Sequence, residues 1–316
     1  MKALHWDGTT LKLNQTLPTP KSTGEMAVVR VRLAGICATD LQILRGYMKF
    51  RGVLGHEFVG TVSEGPAELL EKRVVGEINF GCGRCEFCSQ GLSRHCPGRR
   101  VMGILGADGS FADYLAVPVK NLHRVPEEIA DEEAVFTEPL AAAFEILEQV
   151  KFNPGDKVVV FGDGKLGLLC AQVLYLTGAS VTVVGKHEKK LGLLKGLGME
   201  TILLSEWKPR QADVVVEATG SASALKVALD AVRPRGTLVL KSTLAGEHTL
   251  SFAPLVIHEI TVVGSRCGLF APALQALAQK KVTVTSLVEK VYPLEEGIQA
   301  VRHAAWPGAL KVLLKV

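Results

Sequence analysis

A chain of 316 residues, 47% hydrophobic and 22% charged, is long enough for two buried cores, and its composition is that of a globular protein rather than a disordered or fibrous one. A net charge of +4 with no Lys/Arg run excludes a nucleic-acid-binding arm. No stretch reaches the roughly eighteen apolar residues of a membrane span, and residues 1–13 lack a signal-peptide core, so a cytoplasmic protein without a membrane partner is expected.

The first third reads as short strands. Residues 26–36 alternate apolar and polar side chains, and residues 57–65 and 111–118 look similar. Strands this dense suggest a β-rich, barrel-like unit. Helical periodicity sets in over residues 132–150. Strands at 157–162, 180–185, 200–204, 213–220, 236–241 and 260–265 then alternate with helices at 166–178, 189–198 and 222–232. That rhythm predicts an α/β fold whose parallel sheet is covered on both faces. One more helix is expected over 266–282, after which the tail ends in a strand-like run. The domain reading is 1–145, then 146–268, with 269–316 returning to the first unit; strand 260–265 could be an edge that pairs across a twofold axis.

Cys82, Cys85, Cys88 and Cys96 crowd into one short segment, about 80–97. In a cytosolic chain such spacing points to metal more than to disulfides, and four thiolates meet the need of a closed tetrahedral structural zinc. An iron–sulfur cluster or redox cysteines are the alternatives. Cys37, His56, Glu57 and Glu138 are also competent zinc ligands, but they are scattered, and spacing alone does not join them. Taken singly, Cys37 reads as a core thiol, His56 as a core histidine and Glu138 as a helix-start carboxylate.

Gly162-Asp163-Gly164-Lys165-Leu166-Gly167 matches G-x-G-x-x-G between a strand and a helix. Gly162 allows the tight turn, Gly164 the approach of a pyrophosphate, and Gly167 close helix packing, while the helix start at Lys165 and Leu166 supplies oriented N–H groups. The next strand should end in an acid that binds a ribose 2′-hydroxyl. It ends instead in Gly185, Lys186 and His187. Those cations suit a 2′-phosphate, so NADP is favoured over NAD. Glu188 opposes that reading, and the lysines also fit a solvated helix start.

Gly-Ile-Cys-x-Thr-Asp at 35–40, Gly-His-Glu at 55–57, the four-cysteine lobe, Glu-Pro-Leu at 138–140 and the glycine fingerprint stand in the order of a known family. Gly-Ser-Phe-Ala-Asp-Tyr at 109–114, Glu-Ala-Thr-Gly at 217–220 and Gly-Ser-Arg-Cys-Gly at 264–268 add to the match. The chain resembles the zinc-dependent medium-chain dehydrogenase/reductase family, in particular its sorbitol, threonine and glucose dehydrogenase branch. The resemblance implies a GroES-like catalytic domain built from both chain ends, an inserted Rossmann domain with a doubly wound parallel sheet, and an active site in the cleft. It implies two zincs per chain. The catalytic one would sit on Cys37, His56 and Glu57, with Glu138 exchangeable and Asp40 orienting His56; the structural one would sit on the four cysteines. Thr219 and Arg266 would face the cofactor.

The implied reaction passes hydride between an alcohol or polyol and NAD(P), Thr39 accepting the substrate proton. For Thr39, a turn hydroxyl is the alternative. Relatives often carry a proton-relay histidine five residues after the first ligand; this chain has Gln42, which cannot titrate. An NADPH-dependent carbonyl reductase and a non-catalytic dinucleotide-binding protein are the competing functions. A homodimer or homotetramer acting on a small molecule is expected. His5, His95, His123, His248, His258 and His303 show no metal spacing.

Overall fold

The apolar runs of the middle third lack polar alternation, which is what strands buried on both faces require. In the computed structural model, which describes residues 1–243 and 250–316, they form a six-stranded sheet. His248 lies outside the described residues. The strand order is Glu200–Leu203, Ser180–Gly185, Lys157–Phe161, Ala212–Glu217, Val232–Leu240 and Thr261–Gly264, every neighbour parallel. The order reverses beside Lys157–Phe161, the doubly wound arrangement in which ligands bind at the carboxyl ends of the strands. Val159, Phe161, Val184, Val215, Leu229 and Leu238 belong to one core cluster of this sheet. Trp207, which carries no sequence signal, packs edge-on against Phe161 with ring centroids 5.3 Å apart.

The chain divides into two units, Met1–Glu138 with Leu269–Val316, and Pro139–Gly268. The division falls inside the helix Thr137–Gln149, as does the expected boundary after residue 145, but nearer its start. The helix expected over 132–150 is two pieces, Asp131–Ala134 and Thr137–Gln149. Pro139 suits the first turn of the second piece, where its missing N–H has no partner to lose. The helix expected over 266–282 is confined to Phe270–Ala278.

The first unit is rich in strands. Its largest sheet runs Leu122–Arg124, Arg73–Gly76, Glu57–Glu64, Met26–Gly35, Lys311–Lys315 and Val288–Pro293, with Tyr114–Pro118 also paired to Met26–Gly35. The last strand of the chain lies antiparallel to Met26–Gly35, with Leu313 opposite Gly35, and Ile36 N–H donates to the Val312 carbonyl at 3.0 Å. Glu57 stands opposite Gly35 from the other side. Gly35 thus has the start of one strand and the middle of another as its two neighbours. A small sheet, Asn79–Phe80, Arg100–Met102 and Gly106–Ala107, flanks the four-cysteine segment. Among the described residues no helix is long and apolar enough to cross a membrane.

The helix Lys165–Tyr175 buries Gly167 against the preceding turn. A Cβ there would stand 2.1 Å from the Gly162 carbonyl oxygen, a backbone atom that cannot step aside. Helix propensity alone favours alanine by about 1 kcal/mol, whereas overpacking costs about 1–3 kcal/mol. The clash wins: Gly167→Ala should lower the unfolding free energy by about 1–2 kcal/mol in a urea titration. An unchanged or raised midpoint would show that the turn can yield.

Candidate functional site

Cys37 begins the short helix Ala38–Ile43 as its N-cap. Asp40, in the first turn, turns its carboxylate back: Oδ2 accepts the Cys37 N–H at 2.8 Å. The other oxygen faces His56 Nδ1 at 3.3 Å, without the alignment of a hydrogen bond. One fully buried carboxylate therefore meets both the Cys37 backbone and the His56 ring, which lie on different segments. His56 and Glu57 are held in turn by the loop that follows Ala107. Ser110 N–H donates to the Gly55 carbonyl at 2.9 Å and Phe111 N–H to the Leu54 carbonyl at 2.9 Å. Ser110 Oγ donates to the Glu57 carbonyl at 3.3 Å. The 109–114 motif is thus a backbone clamp on the histidine segment.

One ligand atom each from Cys37, His56 and Glu57 lies within 4.8 Å of the others. The second carboxylate oxygen of Glu57 pairs with Lys311, a residue the sequence did not single out. Both side chains are buried, at 0% and 1% exposure, and Lys311 Nζ also lies 5.5 Å from the Phe136 ring centre. The pair meets across Gly35: a Cβ there would stand 2.2 Å from Glu57 Oε2. Burial works to lower the Lys311 pKa, but Glu57, with Cys37 and Glu138, outweighs it and holds the ammonium above its ordinary value. Burial likewise works against a charged His56, yet Asp40 and Cys37 hold the imidazole well above its usual range. The pocket is therefore rich in negative charge.

A polar atom buried without a partner costs about 1–3 kcal/mol. Among the described residues, Glu57 Oε1, His56 Nδ1 and Asp40 Oδ1 are buried without hydrogen-bond partners. A thiol, an imidazole and a carboxylate converging on one point, with an orphaned oxygen among them, fit a bound zinc ion. Glu138 stands outside this tight set, half-buried, and acts on it through its field at Lys311. The Thr39 hydroxyl is 3.8 Å from Cys37 Sγ.

The sulfurs of Cys82, Cys85, Cys88 and Cys96 form a second set within 4.8 Å. Backbone N–H groups point into it: Cys82 N–H donates to Cys96 Sγ at 3.4 Å and Gly83 N–H to Cys88 Sγ at 3.3 Å. Donors from the backbone of Arg84 and Cys85, with the Cys96 thiol, bring Cys82 down to about 6. The Cys88 backbone also lowers Cys85, but desolvation and the neighbouring thiols push it up to about 11. Four thiols that compete so strongly for protons fit a metal better than they fit one another.

In the second unit, Gly162 has φ +124°, and a Cβ on it would meet the Ala218 carbonyl oxygen at 2.5 Å. Gly164 differs. Its φ of −76° is open to any residue, and a Cβ there would meet nothing within 4 Å. The protein does not itself require glycine at that position, whereas a pyrophosphate lying against the start of the helix would. Lys165 and Leu166 follow, half-buried. Thr219 is less available than its motif suggested: Glu217 Oε1 accepts both its N–H, at 2.7 Å, and its hydroxyl, at 2.5 Å. Arg266 donates to Cys267 Sγ at 3.7 Å, and its carbonyl accepts from Lys241 at 3.1 Å. Lys186 and His187 are exposed, but they are not a free cationic pair, because the His187 ring is turned onto Asp163 at 3.0 Å.

Lys311→Met keeps the apolar stem and strips Glu57 of its counter-charge. Breaking a buried pair from one side costs about 3–5 kcal/mol. Urea unfolding should register a loss of that order, with Lys311→Arg recovering part of it; an unshifted midpoint would mean that Glu57 is not charged.

Residues 23–127 match the alcohol dehydrogenase GroES-like domain family, and residues 166–280 match the zinc-binding dehydrogenase family. A sorbitol dehydrogenase of Halalkalibacterium halodurans is 33% identical over 325 residues, spanning 95% of this chain and 94% of that one. Among solved structures, a zinc-binding dehydrogenase of Sinorhizobium meliloti 1021 bound to NADP superposes with a TM-score of 0.91 at 26% identity, over 100% of this chain and 99% of the other. An alcohol dehydrogenase of Escherichia coli CFT073 complexed with NADH does so with a TM-score of 0.91 at 28% identity, over 100% and 99%. The chain is an oxidoreductase and belongs to the zinc-type medium-chain alcohol dehydrogenase family.

Proposed function

We propose that the protein interconverts a small alcohol or polyol and its carbonyl form, with zinc held by Cys37, His56 and Glu57 and a nicotinamide dinucleotide held by the 162–167 loop. The observation that carries this reading is the converging set of half-buried Cys37 and buried His56 and Glu57, with its orphaned Glu57 oxygen. Zinc so held would polarise the substrate oxygen, and the nicotinamide would exchange hydride with the substrate carbon.

The chain's own residues do the rest. Asp40 faces Nδ1 of His56, which leaves Nε2 as the ligating nitrogen and fixes the ring's tautomer. Lys311 takes Glu57 Oε2, so Oε1 is the oxygen that would ligate. Thr39, beside Cys37, carries the hydroxyl that would accept the substrate proton, and Gln42 behind it offers no titratable relay. Glu138, outside the tight set, is the carboxylate that would exchange with substrate or water. Cys82, Cys85, Cys88 and Cys96 would hold a second, structural zinc. The reversible chemistry covers carbonyl reduction as well as oxidation. The relatives' names favour polyols: the sorbitol dehydrogenase is joined by a D-arabinitol dehydrogenase of Uromyces fabae, 29% identical over 319 residues. The NADP preference suggested by Lys186 and His187 loses one of its two cations to Asp163.

Among the described residues, the strand Thr261–Gly264 is an open edge of its sheet, and Val262 on it is exposed. Just before it, Phe252, Val256 and Ile257 are about three-quarters exposed, at 71%, 76% and 71%. An unpaired edge beside an apolar patch supports a homo-oligomer joined through this edge. Light scattering should give a mass above one chain, and Val262→Lys should reduce it; a wild type that runs as a monomer would remove this assembly.

Cys37→Ser should abolish turnover with every polyol tested. Metal analysis should fall from two zincs per chain towards one, while dinucleotide binding persists. Full activity in that variant would sink the zinc assignment.

A further inference from the structure

Parallel dinucleotide-binding sheets read the adenosine ribose with an acid that follows their second strand. Here that strand, Ser180–Gly185, is followed by Lys186 and His187, and the acid is missing. A carboxylate nevertheless stands at that place. Asp163, the second residue of the glycine fingerprint, is 7% exposed, and its Oδ2 accepts the Lys186 N–H at 2.7 Å and the His187 N–H at 2.6 Å. The His187 ring contacts the same oxygen at 3.0 Å.

The placement excludes an acid on the strand itself. A Cβ on Gly185 would meet Asp163 Cβ at 2.5 Å, Cγ at 2.7 Å and Oδ2 at 2.7 Å. The Asp163 side chain fills the volume that the stem of a strand-end acid would need, so a glycine at 185 and an acid at 163 are two parts of one arrangement. Among the described residues, the hydrogen bonds of Asp163 all fall on Oδ2. Oδ1 remains to accept from outside the chain, and a vicinal diol supplies such a donor. A phosphate in its place would bring like charge against a buried carboxylate, with Glu188 adding a further negative charge on the exposed helix start. Lys186 is the remaining cation of the pair, exposed and on a flexible stem.

We infer that Asp163 takes over the role of the strand-end acid: it binds the ribose 2′-hydroxyl and makes the protein select NAD over NADP. The inference rests on the proposal that this unit binds a nicotinamide dinucleotide. Structures similar to this one have been solved with NADP and with NADH, so the choice is set by local residues rather than by the fold.

Fluorescence titration of the zinc-replete protein with NADH and with NADPH tests it. A hydrogen bond to a charged group, or its loss, is worth roughly a factor of ten or more in affinity. Wild type should bind NADH at least about tenfold more tightly than NADPH. Asp163→Asn keeps an oxygen for the two backbone donors and removes the charge. It should bring the two affinities within about threefold, mainly by improving NADPH. Wild type that binds NADPH as tightly as NADH, or a folded variant with an unchanged ratio, overturns the inference. Should the variant not fold, the ligand side reads the same contact: 2′-deoxy-NAD should bind wild type about tenfold more weakly than NAD, and equal binding overturns the assignment. Wild type that binds neither dinucleotide overturns the dinucleotide reading itself and this inference with it.

Discussion

The candidate active site depends on a charge balance struck out of reach of solvent. Glu57 and Lys311 are both buried, and neither could stay ionised there alone. The desolvation of two ions roughly cancels their attraction, so the pair is a poor device for stability. What it gives is placement: an anionic oxygen held rigidly beside Cys37 and His56. Much of the surrounding architecture follows from that need. The last strand of the chain must pair with Met26–Gly35 to bring Lys311 into reach, and Gly35 must lack a side chain for the pair to meet across it. The return of the chain's end to its beginning is therefore an electrostatic requirement as well as a topological one.

The same physical device recurs at smaller scale. Asp40 accepts the Cys37 N–H, Asp163 accepts the N–H groups of Lys186 and His187, and Glu217 accepts from Thr219. In each case a carboxylate gathers the donors of a turn that ordinary secondary structure leaves unsatisfied. A carboxylate so used has a second oxygen whose direction is fixed at no further entropic cost. At Asp40 that oxygen faces His56. At Asp163 it is the one with which we assign ribose recognition. An acidic residue next to a glycine turn thus both shapes the turn and leaves a pre-aimed acceptor.

What the sequence made legible was what is local or periodic. The runs around Val158–Phe161 and Val214–Glu217 announce buried parallel strands, and the cysteine spacing announces a cluster of four sulfurs, because in both the cause lies within a few residues. Cys37, His56 and Glu57 were joined only by resemblance; the physical link is Asp40, which accepts the Cys37 N–H and faces His56, together with the strand pairing that sets Gly35 opposite Glu57. Lys311 was missed for a plainer reason. It stands 254 residues from Glu57 and looks like the polar start of an apolar strand. Asp163 was in view, but as a filler between two glycines, since G-x-G-x-x-G assigns no role to its first variable position. Thr219 is a motif residue near the glycine loop whose hydroxyl donates within its own turn, a bond that the motif does not announce.

The four-cysteine lobe shows what the proposed structural zinc would do where no catalysis occurs. Its helix Glu86–Ser89 and the turn Ser93–His95 bury no residue at all, and Phe87 is exposed. Of its four cysteines, only Cys96 is buried. A segment with so little apolar surface to hide cannot offset the entropy of ordering its backbone. The N–H groups aimed at Cys96 and Cys88 sulfurs would be weak bonds to neutral thiols and strong ones to thiolates. A cation among those sulfurs would stabilise their charge, so under the proposed zinc assignment the lobe's shape and the ion would form together, with coordination standing in for the core that the sequence does not supply.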